Sequence, residues 1–436
     1  MDAGYGCAVA GIYAGRPDAA FMMARFLYNL LIWLLLPYTL IHLLWRGRKQ
    51  RGYLQHIGER FGFYSQPVTR PIIWLHAVSV GETRAAKPLV EALLNTYPQH
   101  QILLTHITPT GRDTSEQLFG NRVTRVYLPY DFPFAVRRFL RHFQPRLGLL
   151  METEIWPNLI ALSHQNNIPM MLINARLSAR SARRYARLGK LIPDTLAQLT
   201  HLAAQTTDDA TRLRQLGGQA ISIMGNLKFD SAPPAELLAL GQQWREYIGE
   251  RLVWVAASTR AGEEALIMDA WQALPDKPLL VIIPRHPQRF DDIAGLLQQR
   301  GVRYQRRSTG DVIRADTQVW LGDSMGELFA YYALANMAFI GGSLMPLGGQ
   351  NLIEAASVGC PVVMGASMFN FAEVAQTAIT SGAAVQIQDV TSLTHTVAEL
   401  LADEHRRQRM HTAALDFSAS HQGATMQLMS LINQEM

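Results

Sequence analysis

Residues able to do chemistry recur in one kind of place along this chain: directly after short apolar runs. Glu82 follows the run Ile72–Val78 across the turn Ser79-Val80-Gly81, and Glu152 and Glu154 follow Leu147–Met151. In the second half, Ser258, Thr259 and Arg260 follow Leu252–Ala257. Arg285 and His286 come after Leu279–Ile283 and Pro284, and Asp323 and Glu327 after Gln318–Leu321. A carboxylate on an exposed turn can take a proton from a hydroxyl. An arginine can fork onto a phosphate. Carboxylates gather in the first half and phosphate-type binders in the second. That asymmetry suggests an activated donor held by the second half and a base supplied by the first. Each residue also has a plainer reading. Glu82 could simply complement a helix dipole, and Arg285-His286 could be a solvated turn. Of Glu152 and Glu154, strand alternation sends one toward the ligand side and the other to solvent or an arginine.

A second constellation lies between Met337 and Gly365. An apolar run, Met337 to Ile340, leads into Gly341, Gly342, Ser343 and then Gly348, Gly349 and Asn351. A helix is expected from Asn351 to Val358, with Asn351 as N-cap and Gly359 as C′ residue. The strand Cys360–Met364 follows. Glycines where a loop meets a helix let backbone approach a ligand, and a helix N-terminus attracts phosphate. Glu354, three residues past the cap, could reach a sugar hydroxyl or serve as a capping-box residue.

The elements that must carry these residues alternate. Strand-like and helix-like segments take turns from Pro71 to Met224, then again from Leu252 to the C-terminus, which predicts parallel sheets covered by helices on both faces. In such sheets, ligands bind beyond the carboxyl ends of the strands. The expected organisation is an unstructured extension (1–22), a membrane anchor (23–50), a first Rossmann-like domain (51–230), a linker (231–240) around Pro233-Pro234, and a second Rossmann-like domain (241–436). The last helix is free to pack back on the first domain. Two doubly wound halves would face each other across a cleft.

The anchor expectation rests on Phe26–Trp45, which carries no Asp, Glu, Lys or Arg. Twenty such residues reach about 30 Å as a helix, enough for one bilayer core. The alternative is that they lie on the membrane surface. Arg46, Arg48, Lys49 and Arg51 follow at once, which puts the rest of the chain in the cytoplasm. A second basic run holds Arg176, Arg180, Arg183, Arg184 and Arg187 and suits an anionic lipid headgroup. The net charge of +5 is confined to such clusters, with no aromatic–basic interleaving, so nucleic acid is not an expected partner. The two cysteines, Cys7 and Cys360, build neither a disulfide framework nor a cysteine metal site. The histidines are scattered, and metal-independent chemistry is expected.

Taken together, these segments resemble the 3-deoxy-D-manno-octulosonic acid (Kdo) transferases of the lipopolysaccharide inner core. The resemblance rests on His76 to Thr83, Met151 to Asn158, Asn174 to Ser178, Leu227 to Asp230, Pro284 to His286, Gly322 to Glu327 and Gly341 to Glu354, in that order. It spans about residues 23 to 436. It implies the GT-B fold, with an acceptor-binding N-terminal domain and a C-terminal domain for CMP-Kdo. It implies inverting transfer of Kdo from CMP-Kdo to a lipid A precursor at the inner membrane. Carried over residue by residue, it makes Glu82 the proton acceptor and gives Glu152 and Lys228 transition-state stabilisation. It assigns CMP binding to Pro284 and Arg285, to Met325, Gly326 and Glu327, and to Asn351, Leu352, Ile353 and Glu354. Gln350 and Leu352 stand where family members often carry His and Pro. No cofactor is implied beyond the donor itself.

Overall fold

The computed structural model describes residues 19–230 and 232–436. The chain divides into two compact units, one running to Leu227 and including Gly423–Met436, the other spanning Lys228–Gln422.

The first unit is built on seven strands: β1 (Ile72–His76), β2 (Gln101–His106), β3 (Thr124–Tyr127), β4 (Leu147–Met151), β5 (Met170–Ala175), β6 (His201–Ala204) and β7 (Ile221–Ile223). Their order is β3-β2-β1-β4-β5-β6-β7, and the pairings are parallel. The second unit repeats the plan with β8 (Val253–Thr259), β9 (Leu279–Pro284), β10 (Tyr304–Arg306), β11 (Val319–Leu321), β12 (Met337–Ile340), β13 (Val362–Met364) and β14 (Ala384–Gln386). Here the order is β10-β11-β9-β8-β12-β13-β14, again in parallel. The central strands are mostly apolar because both faces are covered; all five residues of β1, His76 included, and of β4 are buried.

Each sheet reverses its strand order once, between β1 and β4 in the first and between β8 and β12 in the second. At such a switch point, neighbouring connections leave in opposite directions and open a crevice at the strands' carboxyl ends. Glu82 and Glu152 follow the two strands that flank the first switch point. Arg260 and Gly341 follow the two that flank the second.

The last helix, Ala424–Glu435, belongs to the first unit. Its Ala424, Leu428 and Ile432 share an apolar cluster with Leu89, Val90 and Leu93 of the helix Lys87–Thr96.

The N-terminal region differs from the single anchor helix expected over 23–50. Helix begins at Ala19, inside the segment 1–22 expected to be unstructured; residues 1–18 of that segment lie outside the described residues. The helix Ala19–Leu34 breaks at Leu35, and a second helix, Leu36–Lys49, starts with Pro37 in its first turn. Proline lacks the N–H that would continue the ladder, so the chain bends there. The bend is 47°, and among the described residues no single helix is long and apolar enough to cross a membrane. The first helix is bonded to its own domain: Arg25 and Asn29 reach Asn158, and Tyr28 reaches Asp131. Trp33 packs on Phe132 and Phe134. Other side chains of the pair are apolar and exposed, among them Phe26, Leu30, Leu31, Leu34, Tyr38, Ile41 and Leu44.

Candidate active site

In the first unit, β1 ends at His76 and the chain turns into the short helix Val80–Ala85, capped by Ser79. Glu82 lies in its first turn. Its carboxylate reaches back, accepting from the Val78 N–H at 2.8 Å and from the Ser79 hydroxyl at 2.9 Å. Glu82 is thus a first-turn carboxylate at a helix start, as the plainer reading had it, and these two bonds also fix the carboxylate's position. Only 8% of Glu82 is exposed. Burial pushes its pKa above the usual carboxylate value. The Val78 N–H pulls it back, and the charge of Glu152 raises it again. A carboxylate made more basic by desolvation and a like charge is a better proton acceptor than a solvated one.

Glu152 and Glu154 are told apart by their partners. Glu154 accepts from the Trp156 indole N–H at 2.7 Å, and its carboxylate is 3.7 Å from Nε2 of the buried His76. Among the described residues, the Glu152 carboxylate has neither a hydrogen bond nor a cation, and its charge acts on Glu82. Its backbone is left-handed, with φ of 56°, costly for a glutamate and typical of a site where geometry is imposed. Asn174 at the end of β5 is also left-handed, with φ of 49°; its side chain accepts from the Leu227 N–H. The basic run forms the helix Ala179–Ala186, in which Arg180, Arg183 and Arg184 are exposed. Tyr185 of that helix donates to the Thr153 carbonyl at 3.3 Å.

In the second unit, the glycine-rich loop differs from a free phosphate cradle. The buried Glu263 carboxylate accepts from the backbone N–H groups of Gly342 at 2.6 Å, Leu344 at 3.0 Å and Arg260 at 2.9 Å. These donors are thus satisfied internally, and the loop is shaped by a protein carboxylate. Gly341 is needed for another reason: a Cβ there would sit 2.4 Å from the Ser258 carbonyl oxygen. Gly341→Ala should push β12 away from β8 and destabilise the protein by about 1–3 kcal/mol, read as a lowered thermal midpoint.

The expected helix 351–358 is shorter, Ile353–Ala356, with Leu352 at the N-cap. Asn351 instead forms a local turn, accepting from the Ile353 N–H at 3.2 Å and donating to Glu354 at 3.1 Å. The side chains of Leu352 and Ile353 are buried in the apolar core, which leaves only their main chain to meet a ligand. Gly359 has φ of 72°, as a C′ residue requires.

The cations form a cluster beside this loop. Pro284 ends β9 and Arg285 follows, its N–H bonded to the Thr259 carbonyl at 3.0 Å. The guanidinium groups of Arg260 and Arg285 have no hydrogen bond or ion pair among the described residues. Desolvation lowers the pKa of His286, and the charges of Arg260, Arg285 and Arg289 lower it further, so these groups share one electropositive patch. Arg260 is among the strand-end residues read from the sequence but absent from the CMP-binding set that the resemblance assigned; its position after the first strand of a switch point is the signal that singles it out. Glu327 is committed elsewhere, accepting from Arg307 at 3.0 Å and from the Ser324 hydroxyl. Met325 is exposed and Gly326 has φ of 86°. The Lys228 ammonium is 5.8 Å from the Phe371 ring centre, and the Asn370 N–H beside that ring bonds the Gly348 carbonyl at 3.0 Å.

Two seven-stranded parallel Rossmann-like sheets, each with polar residues gathered at its switch point, give the GT-B fold. Solved structures of that fold match most of the chain. A glycosyltransferase from Rickettsia africae has a TM-score of 0.57 over 84% of this chain and 98% of its own, at 10% identity. A putative UDP-N-acetylglucosamine 2-epimerase from Listeria monocytogenes has 0.55 over 84% and 96%, at 13% identity. At such identities the likeness concerns the fold alone. Residues 265–416 match the family model of glycosyl transferases group 1, and residues 55–231 match that of 3-deoxy-D-manno-octulosonic-acid transferase. The Kdo transferase of Bordetella pertussis is 44% identical over 92% of this chain and 97% of its own length. That of Haemophilus influenzae is 37% identical over 94% and 98%. The chain belongs to the Kdo transferase family, and it is an enzyme that transfers Kdo.

Proposed function

We propose that this Kdo transferase takes the sugar from CMP-Kdo and passes it to a lipid A precursor, with inversion at the anomeric carbon. Glu82 accepts the proton of the acceptor hydroxyl. The hydroxyl oxygen bonds to the anomeric carbon as the bond to the CMP phosphate oxygen breaks, and CMP leaves as the anion. The observation that carries this reading is the desolvated Glu82 carboxylate, held by Val78 and Ser79 with Glu152 beside it. Lys228 stabilises charge developing on the leaving phosphate. Glu152 sustains the basicity of Glu82 and faces the positive charge that builds on the sugar ring as the leaving bond stretches.

CMP lies against Pro284 and Arg285, Met325 to Glu327, and Asn351 to Glu354, with Arg260 added to the phosphate contacts. Because the Gly342 and Leu344 N–H groups are already bonded to Glu263, arginine carries more of the phosphate recognition than the glycine loop does. No metal ion is needed if Arg260, Arg285 and Lys228 together neutralise the phosphate. Arg285→Ala is expected to weaken CMP binding about tenfold or more, the scale of one charge-assisted hydrogen bond. Calorimetric titration with CMP and with UDP tests the donor assignment. Tight binding of CMP over UDP, lost in the variant, supports it; preference for UDP removes it.

The bent helix pair lies in the membrane interface rather than spanning the bilayer. One side is apolar and exposed, while Arg25, Tyr28 and Asn29 are bonded inward. An amphipathic element of this kind buries its apolar face at the headgroup boundary. The exposed arginines of the helix Ala179–Ala186 then attract phosphates of the acceptor or of neighbouring inner-membrane lipids, with the catalytic units on the cytoplasmic side.

A further inference from the structure

The hydrogen bonds that tie the first helix to its domain converge on the segment that carries Glu152. Asp131 is buried, 6% exposed, and sits just after β3. Its carboxylate accepts from the backbone N–H groups of Asn158 at 3.0 Å and Leu159 at 2.8 Å. It thereby caps the helix Pro157–Gln165 from a distant part of the chain, a helix whose own N-cap residue, Trp156, makes no side-chain cap. The same carboxylate accepts from the Tyr28 hydroxyl at 2.8 Å. The fully buried Asn158 donates to Asn29 and to the Asp131 carbonyl, both at 2.7 Å, and accepts from Arg25 at 3.2 Å. Arg25, Tyr28 and Asn29 are three and four residues apart at most, so they share one face of the helix Ala19–Leu34. An element needed only to reach a membrane has no use for three polar side chains aimed at one helix terminus.

Only residues 152–156 separate β4 from that terminus. Within them Glu152 holds a left-handed backbone and Trp156 fixes Glu154. A strained conformation persists only where its surroundings over-determine it. The near end of the segment is fixed by the sheet, where the Glu152 N–H bonds the Ile173 carbonyl at 3.0 Å. The far end is fixed by Asp131 and Asn158, and these are held in turn by the first helix.

We infer that the helix Ala19–Leu34 is a positioning element for the reaction: through Arg25, Tyr28 and Asn29 on Asp131 and Asn158, it sets the 152–156 segment and so the place of Glu152 beside Glu82. This rests on the transferase reading of Glu82 and Glu152. A displacement of about 1 Å at a reacting group can cost a hundredfold in rate, so a loosened segment lowers turnover without touching donor binding.

The experiment compares the full-length double variant Arg25→Ala/Tyr28→Phe and the single variant Asn29→Ala with wild type. Kdo transfer is measured in detergent micelles, where acceptor and enzyme are already together and membrane recruitment plays no part. The expected result is a fall in kcat of about tenfold or more in the double variant, with the KM for CMP-Kdo unchanged and flotation with anionic vesicles unchanged. Asn29→Ala is expected to fall less, and Asn29→Asp, which keeps the acceptor oxygen for the Asn158 amide, to recover most of the rate. Wild-type kcat in both the double variant and Asn29→Ala would overturn the inference and leave the helix an anchor. If the double variant fails to fold, the Asn29→Ala and Asn29→Asp pair decides by the same criterion. Absence of transfer by wild type would instead remove the reading of Glu82 and Glu152 on which the inference rests.

Discussion

Glu82→Gln is expected to lose Kdo transfer by about three orders of magnitude, within the range general base catalysis contributes, while binding CMP as wild type does. The substitution is close to isosteric. A glutamine oxygen can still accept from the Val78 N–H or the Ser79 hydroxyl, so the cap on the helix Val80–Ala85 is largely kept and the loss reports chemistry. The pH dependence carries the same claim. The folded-state pKa of Glu82 lies above the ordinary carboxylate value, raised first by burial and then by Glu152. If Glu82 is the base, its ionised form is the active one, and the rate should fall as pH drops through that raised value. Replacing Glu152 with glutamine removes one of the charges that raise it, and should move the acidic limb to lower pH. The sign for stability is opposite to that of a salt-bridged carboxylate: because the folded pKa is raised, ionisation of Glu82 costs folding free energy at neutral pH. Glu82→Gln should therefore unfold no earlier than wild type at pH 7 in a thermal melt.

Glu263→Ala should give the largest stability loss of any single substitution near the donor loop. The carboxylate is fully buried and bonded to three backbone N–H groups, those of Arg260, Gly342 and Leu344. Its removal strands these donors and opens a void where the loop closes on the helix Glu263–Ala273. Each buried donor left without a partner costs about 1–3 kcal/mol, and breaking a buried charged network about 3–5 kcal/mol. A loss of about 3–5 kcal/mol in urea unfolding is expected. Glu263→Gln keeps one acceptor oxygen and should lose less. Both variants should weaken CMP binding, because Arg260 and the loop after β12 would no longer be held at the second switch point. A Glu263→Ala protein as stable as wild type would mean that the loop keeps its shape without this carboxylate.

Much of this arrangement was legible from the chain alone, for identifiable reasons. β1, β4, β8 and β9 are continuous apolar runs ending at polar turns, so their ends, and hence the strand-end chemistry, follow from pattern. Gly341 to Gly349 and Gly359 read as loop and turn because a close approach or a positive φ requires glycine there, but the helix between them is Ile353–Ala356 with Leu352, not Asn351, at its N-cap. What escaped pattern reading was short or set by tertiary contact. β6 (His201–Ala204) and β10 (Tyr304–Arg306) are too brief to show a period, and Gln305 and Arg306 make β10 look like loop. The helix Lys87–Thr96 separates from Val80–Ala85 because of Pro88, a break hidden inside an otherwise helical run. The 47° bend at Leu35 lies beside Pro37, which a twenty-residue hydropathy window averages away. Glu263 in the glycine loop and Asp131 on the helix Pro157–Gln165 depend on residues 79 and 27 positions apart from their partners at Gly342 and Asn158. Local sequence holds no record of such pairings.

Whether Glu82 drives transfer of Kdo from CMP-Kdo to a lipid A precursor can be read in one assay: freshly generated CMP-Kdo, a tetra-acylated lipid A precursor, and wild type beside Glu82→Gln, with products resolved by mass. The expected result is an acceptor heavier by whole Kdo units with wild type, and unmodified acceptor with a variant that still binds CMP. Normal turnover by Glu82→Gln would contradict the base assignment and leave Glu82 a helix-start carboxylate that complements the dipole. Transfer from another nucleotide sugar, with none from CMP-Kdo, would contradict the donor.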